Sequence, residues 1–145
     1  MTILKAIIDQ FLPEWAGGQR LISGASLGTL AAQLYSVQDN IVAHPGGGQA
    51  GATPLTAAFC DVTVVASTND SVLLPYAIPG NSFNVSNSSA NGAQIWARPS
   101  NPHNGGTADV IMNQGSNTPL TNVGFNPGYV GNFYCTKPGV WRKDI

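Results

Sequence analysis

The chain has 145 residues, a net charge of −1 and 9% charged residues, against about 25% in ordinary domains. That length suits one domain with a real core, and the lack of a basic run argues against nucleic-acid binding, which needs phosphate-neutralising charge. Thirteen asparagines, with many Ser, Thr and Gln, supply the polarity instead, and so neutral a surface resists self-association weakly. No apolar run reaches the ~18–20 residues of a membrane span. Lys5, Asp9 and Gln10 interrupt the N-terminal apolar stretch, which therefore does not read as a secretory signal.

Residues 2–12, TILKAIIDQFL, predict an amphipathic helix. Ile3, Leu4, Ile7, Ile8, Phe11 and Leu12 recur at i, i+4 and i+8 as one apolar stripe; Thr2 caps it and Pro13 stops it. Three turns are marginal alone in water, so the stripe must dock, either on its own domain or as an arm on a neighbouring subunit or partner. Gly17-Gly18 behind it would serve as a hinge. A second, shorter helix is expected from about Ser26, with Leu27, Leu30, Ala31 and Leu34 at helical spacing. The glycine-rich run 43–54 reads as a loop.

Strand patterns follow. Ala57–Ala66 alternates, with Cys60, Val62 and Val64 on one face. Ser71–Leu74 is an apolar run stopped by Pro75. Ser82–Asn87 places Phe83 and Val85 opposite Ser82, Asn84 and Ser86, and Ala93–Arg98 follows after Asn91-Gly92, a dipeptide suited to a tight hairpin. Ile95 and Trp96 must then face opposite sides of their sheet. Pro79-Gly80 and Pro138-Gly139 each fit the middle of a type II turn. Further strands are expected at Ala108–Asn113, near Leu120–Val123, at Tyr129–Thr136 and at Val140–Lys143. Seven or eight short strands at such spacing predict a mainly β protein, an antiparallel β-sandwich of jelly-roll type carrying an N-terminal helical arm. The chain divides into the arm (1–20), a helical and glycine-rich connecting segment (21–54) and the β-sandwich domain (55–145).

The motifs of chemistry are weak. Gly24-Ala25-Ser26-Leu27-Gly28 matches the nucleophile elbow of hydrolases, with Asp61 or Asp70 and His103 in the right chain order, but no βαβ alternation surrounds it. Ser26 reads as a helix cap. Gly46–Gly51 matches G-x-G-x-x-G, yet Pro45 and Pro54 leave no helix to receive a pyrophosphate. His44 and His103 stand apart with no Cys or His beside either, and the scattered carboxylates form no calcium loop, so neither metal nor cofactor is expected. Cys60 and Cys135 read as free core thiols. Three glycosylation-like triplets, at Asn69, Asn84 and Asn87, fit an Asn/Ser-rich composition. Trp96, on the face away from Ile95, is a candidate contact, covered either by the N-terminal segment or by another subunit. Sugar stacking on Trp96, Tyr76 or Trp141 is a third possibility.

The succession LISGASLGTL (21–30), DSVLLP (70–75), IPGNSFNVSN (78–87) and FYCTKPGVW (133–141) resembles small structural proteins of tailed bacteriophages, and among them the capsid decoration, or cement, proteins. The resemblance covers roughly residues 21–143. It implies a non-enzymatic jelly-roll-like module on the outer surface of the virion, a homotrimer bound to the major capsid protein across capsomers, with no nucleic-acid or membrane partner. Similar modules occur in head and tail fibres, for which binding of host surface glycans is the alternative. The apolar stripe 3–12 lies outside the resemblance.

Overall fold

A computed structural model describes residues 36–113, 116 and 118–144. The expected arm and the helix from Ser26 lie outside these residues, and with them Ile3, Leu4, Ile7, Ile8, Phe11 and Leu12. Ten strands run in order: β1 (Val37–Val42), β2 (Thr53–Pro54), β3 (Phe59–Val64), β4 (Ser71–Leu73), β5 (Ser82–Asn87), β6 (Ala93–Trp96), β7 (Val110–Asn113), β8 (Asn122–Phe125), β9 (Val130–Lys137) and β10 (Val140–Asp144). They form a six-stranded sheet, β1-β3-β5-β9-β10-β7, and a four-stranded sheet, β2-β4-β6-β8. The fold is mainly β, as alternation and turn residues predict.

The antiparallel expectation fails. Five of the eight strand pairings are parallel, and both sheets are mixed. From β1 to β9 every successive strand changes sheet, so β1, β3 and β5 stack in parallel in one layer while β2, β4 and β6 do so in the other. The chain winds as a flattened coil and closes with β9–β10, the one hairpin between consecutive strands among the described residues. The physical reason is that a half-buried strand shows the same two-residue period whichever neighbour it takes. Asn91-Gly92 illustrates the point. Neither residue has a positive φ, and the segment carries the chain from β5 across to β6 in the other sheet.

Other turn signals hold. Gly80 (φ 90°) and Gly139 (φ 77°) take the left-handed conformation that the second central position of a type II turn demands. Strand β5 has the bounds the alternation assigns it, and β4 is buried at all three positions, as a continuous apolar run in a parallel stack should be. Strands β1 and β2 lie within 21–54, where the glycine-rich pattern predicts only connection. Gln38 ties β1 to the segment between β2 and β3: its Oε1 accepts from the Thr56 N–H at 2.8 Å.

The core lies between the sheets. Val62, Val85, Phe133, Ile111 and Trp141 come from the six-stranded layer, and Val72, Ile95, Val123 and Phe125 from the other. Ile95 faces this core, so Trp96 takes the outer side, as alternation requires. Its buried carboxylate at Asp109 is paired, whereas the Ser71 hydroxyl is buried with no partner among the described residues. Asp109 is 1% exposed, and its carboxylate accepts from Ala77 N at 2.9 Å and from Asn101 Nδ2 at 2.7 Å.

Asp70 holds two loops together. One carboxylate oxygen accepts from Ala66 N (2.9 Å) and Ser67 N (3.0 Å), the other from Gly46 N (3.1 Å). The Ser67 amide does most to hold its pKa below the usual carboxylate value; desolvation opposes this, and the Gly46 and Ala66 amides and the charge of His44 add to it. A depressed folded pKa contributes stability above the unfolded value of about 3.9, lost as pH falls through the lower folded value. Asp70→Asn should therefore melt below the wild type at pH 6, and the gap should narrow in thermal scans taken below about pH 4.

Candidate interaction surface

The outward face of the six-stranded sheet carries an uncharacteristic mixture of groups. Register places Val37 beside Phe59, Phe59 beside Asn84, and Asn84 beside Asn132, as one row across four strands. A second row runs Asp61, Ser86, Val130. Val37 is 70% exposed, Phe59 44% and Val130 51%. A second apolar pair, Val42 and Val64, is exposed at the other end of β1 and β3. These strands hold their opposite face in the core through Cys60, Val62 and Val85. The position of Phe59 is thus fixed by rigid sheet.

The polar groups between the apolar ones are already satisfied. The Ser86 hydroxyl donates to Asp61 Oδ1 at 2.6 Å, and the Ser88 hydroxyl lies 2.8 Å from both carboxylate oxygens. Two neutral donors fix this carboxylate, with no cation or imidazole among the bonds it makes. Such a group anchors a surface and offers little to acid–base chemistry. Val37, Phe59, Cys60, Asp61, Asn84 and Ser86 line a shallow depression of about 230 Å³. That is smaller than the usual ~300–1,000 Å³ ligand pocket, and its size suits one projecting side chain of another protein.

The residues singled out from the sequence fall elsewhere. Trp96 sits half-buried on the outer side of the four-stranded sheet, and its indole N–H is buried without an acceptor among the described residues. Trp141 is fully buried and donates to Pro75 O at 3.2 Å, so it offers no face to a sugar. Tyr76 is exposed, but the Arg98 guanidinium lies 5.0 Å from its ring centroid. Ser26 lies outside the described residues. Cys60 and Cys135 are both free, and burial pushes both thiols up, away from thiolate reactivity. Among the described residues, no three His, Cys, Asp or Glu side chains cluster to hold a metal. Asn87 is 1% exposed, with Nδ2 donating to Asn91 O and Phe125 O, which leaves no room for a glycan.

Sequence reasoning missed Phe59 and Val37. The signal for Phe59 was present, because placing Cys60, Val62 and Val64 on one face turns a phenylalanine to the other. Cys60 and Val62 are buried as expected, but Val64, where the β1–β3 register shifts, is 46% exposed. Val37 had no such signal, since it follows a run with helical spacing. No protein-family model, curated protein or solved structure matches the chain.

Proposed function

We propose that the chain is a non-enzymatic structural protein of a tailed-bacteriophage virion, a decoration protein that binds the major capsid protein on the outer surface of the assembled head. The exposed apolar row of Val37 and Phe59, backed by a fully packed sheet and joined by Val130, carries this reading. Large apolar groups held rigidly outward are the material of protein contacts, because their burial releases water without ordering a loop. The rarity of charge and the likeness to cement proteins across residues 21–143 point the same way. The mechanism is mass action. A protein that binds only the assembled shell stabilises that state by its own binding free energy. A homotrimer spreads three such contacts over neighbouring capsomers, gaining avidity without a strong individual contact.

The test is sedimentation of the purified protein with shells stripped of decoration, beside unassembled capsid subunits. Saturable binding to shells, and none to free subunits, is the expected result. Equal binding to both, or to neither, would remove the reading.

A further inference from the structure

A second surface, distinct from the apolar row, is built around Arg98. Strand β6 ends at Trp96 and Pro99 blocks its continuation, so Arg98 leaves the sheet at a fixed point. Its Nε donates to Leu74 O at 2.9 Å. Its guanidinium carbon stands 5.0 Å from the Tyr76 ring centroid, a cation–π stack. The exposed His103 ring meets the same tyrosine edge-on, centroids 5.9 Å apart, and is set by Asn101 Oδ1, which accepts from His103 N at 2.8 Å. Two of the guanidinium's attachments are therefore spent on the fold. Its two Nη amino groups meet no acceptor among the described residues. The nearest carboxylate along the backbone ladder does not serve them. Asp109 N donates to Arg98 O, but its side chain is buried on Ala77 N and Asn101 Nδ2.

We infer that Arg98, stacked on Tyr76 and flanked by His103, is a docking point for an acidic side chain, Asp or Glu, of a protein partner. A guanidinium locked at Nε and along one ring face has already lost the rotamer freedom that normally opposes ion-pair formation. What remains is a planar fork matched to a carboxylate. The partner must be macromolecular. An exposed pair contributes only about 0–1 kcal/mol, too little to retain a small free acid. A carboxylate on a protein surface already held nearby would meet the fork at high effective concentration. The inference takes its protein partner from the capsid reading and adds one chemical feature to it, an acidic side chain.

The experiment follows the Arg98 Nε–H signal of the full ¹⁵N-labelled chain by NMR, assigned with Arg98→Lys. The probes are hexaglutamate, hexalysine and glucuronate. Hexaglutamate should move the Arg98 signal saturably and more than that of Arg142, while hexalysine leaves it still. Affinity should fall about tenfold between about 20 and about 300 mM salt, as screening requires. Arg98→Lys, with an unchanged fold by amide spectrum, should bind about fivefold more weakly because it lacks the fork. An unmoved signal, equal movement at Arg142, or a well-folded Lys variant that binds as tightly would overturn the site. Tighter binding of glucuronate than of hexaglutamate would overturn the protein assignment in favour of an acidic sugar. Failure of the wild type to bind shells while hexaglutamate still titrates Arg98 would remove the capsid reading and leave the site standing.

Discussion

Trp141→Ala should lower the free energy of unfolding by about 3–5 kcal/mol, the cost of emptying a buried aromatic site. Trp141 is fully buried and is the largest such side chain in the described sandwich. It lies on β10 between Cys135 of β9 and Ile111 of β7, and meets Phe83 edge-on with ring centroids 5.6 Å apart. Its indole N–H reaches Pro75 O on the segment that leaves β4, so one residue joins the closing hairpin to the crossover between layers. Domains of this size are stable by only about 5–15 kcal/mol, so a large share of the total depends on it. Trp141→Phe keeps most of the volume and loses the hydrogen bond, and should cost about 1–2 kcal/mol. Urea unfolding followed by circular dichroism measures both. Equal, small losses in the two variants would mean the ring is not holding the layers together.

The double substitution Val37→Asp with Phe59→Asp should weaken binding to shells by about a hundredfold or more. Two apolar anchors, each contributing roughly 1.5–3 kcal/mol when fully buried, are replaced by charges that an apolar interface would leave unpaired. The fold should survive, because neither side chain belongs to the core, and the melting temperature should stay within a few degrees of the wild type. Val130→Asp, one row away, should produce a smaller loss. Undiminished shell binding by the folded double variant would move the contact elsewhere on the protein.

Much of the local structure was legible in the sequence, and most of the topology was not. Ser82–Asn87 could be bounded because Ser, Asn and Ser alternate with Phe and Val, and Gly80 and Gly139 because only glycine readily accepts the left-handed position behind a proline. Ile95 and Trp96 could be assigned to opposite faces because adjacent strand residues must diverge. Alternation fixes the face of a residue but says nothing of the partner strand. Asn91-Gly92 therefore suggests a hairpin, although Val85 pairs with Gly131 of β9 and Ile95 with Val123 of β8. The apolar row is a product of that hidden register. Val37 and Phe59 are separated by a glycine-rich loop in sequence and become neighbours only through the parallel pairing of β1 with β3. Arg98 was similarly silent, since its value lies in what Leu74 and Tyr76 do to it. The stripe from Ile3 to Leu12 rests on its helical spacing alone.

The most direct measurement is the thermal disruption of undecorated shells, by scanning calorimetry, with increasing amounts of the protein. A cement protein binds the assembled shell in preference to its separated subunits, so the disruption temperature should climb with concentration and go on climbing past saturation. At a free concentration a hundred times Kd, each site adds about 2.7 kcal/mol to the assembled state. A disruption temperature that stays constant while the protein sediments bound to the shells would contradict the cementing role.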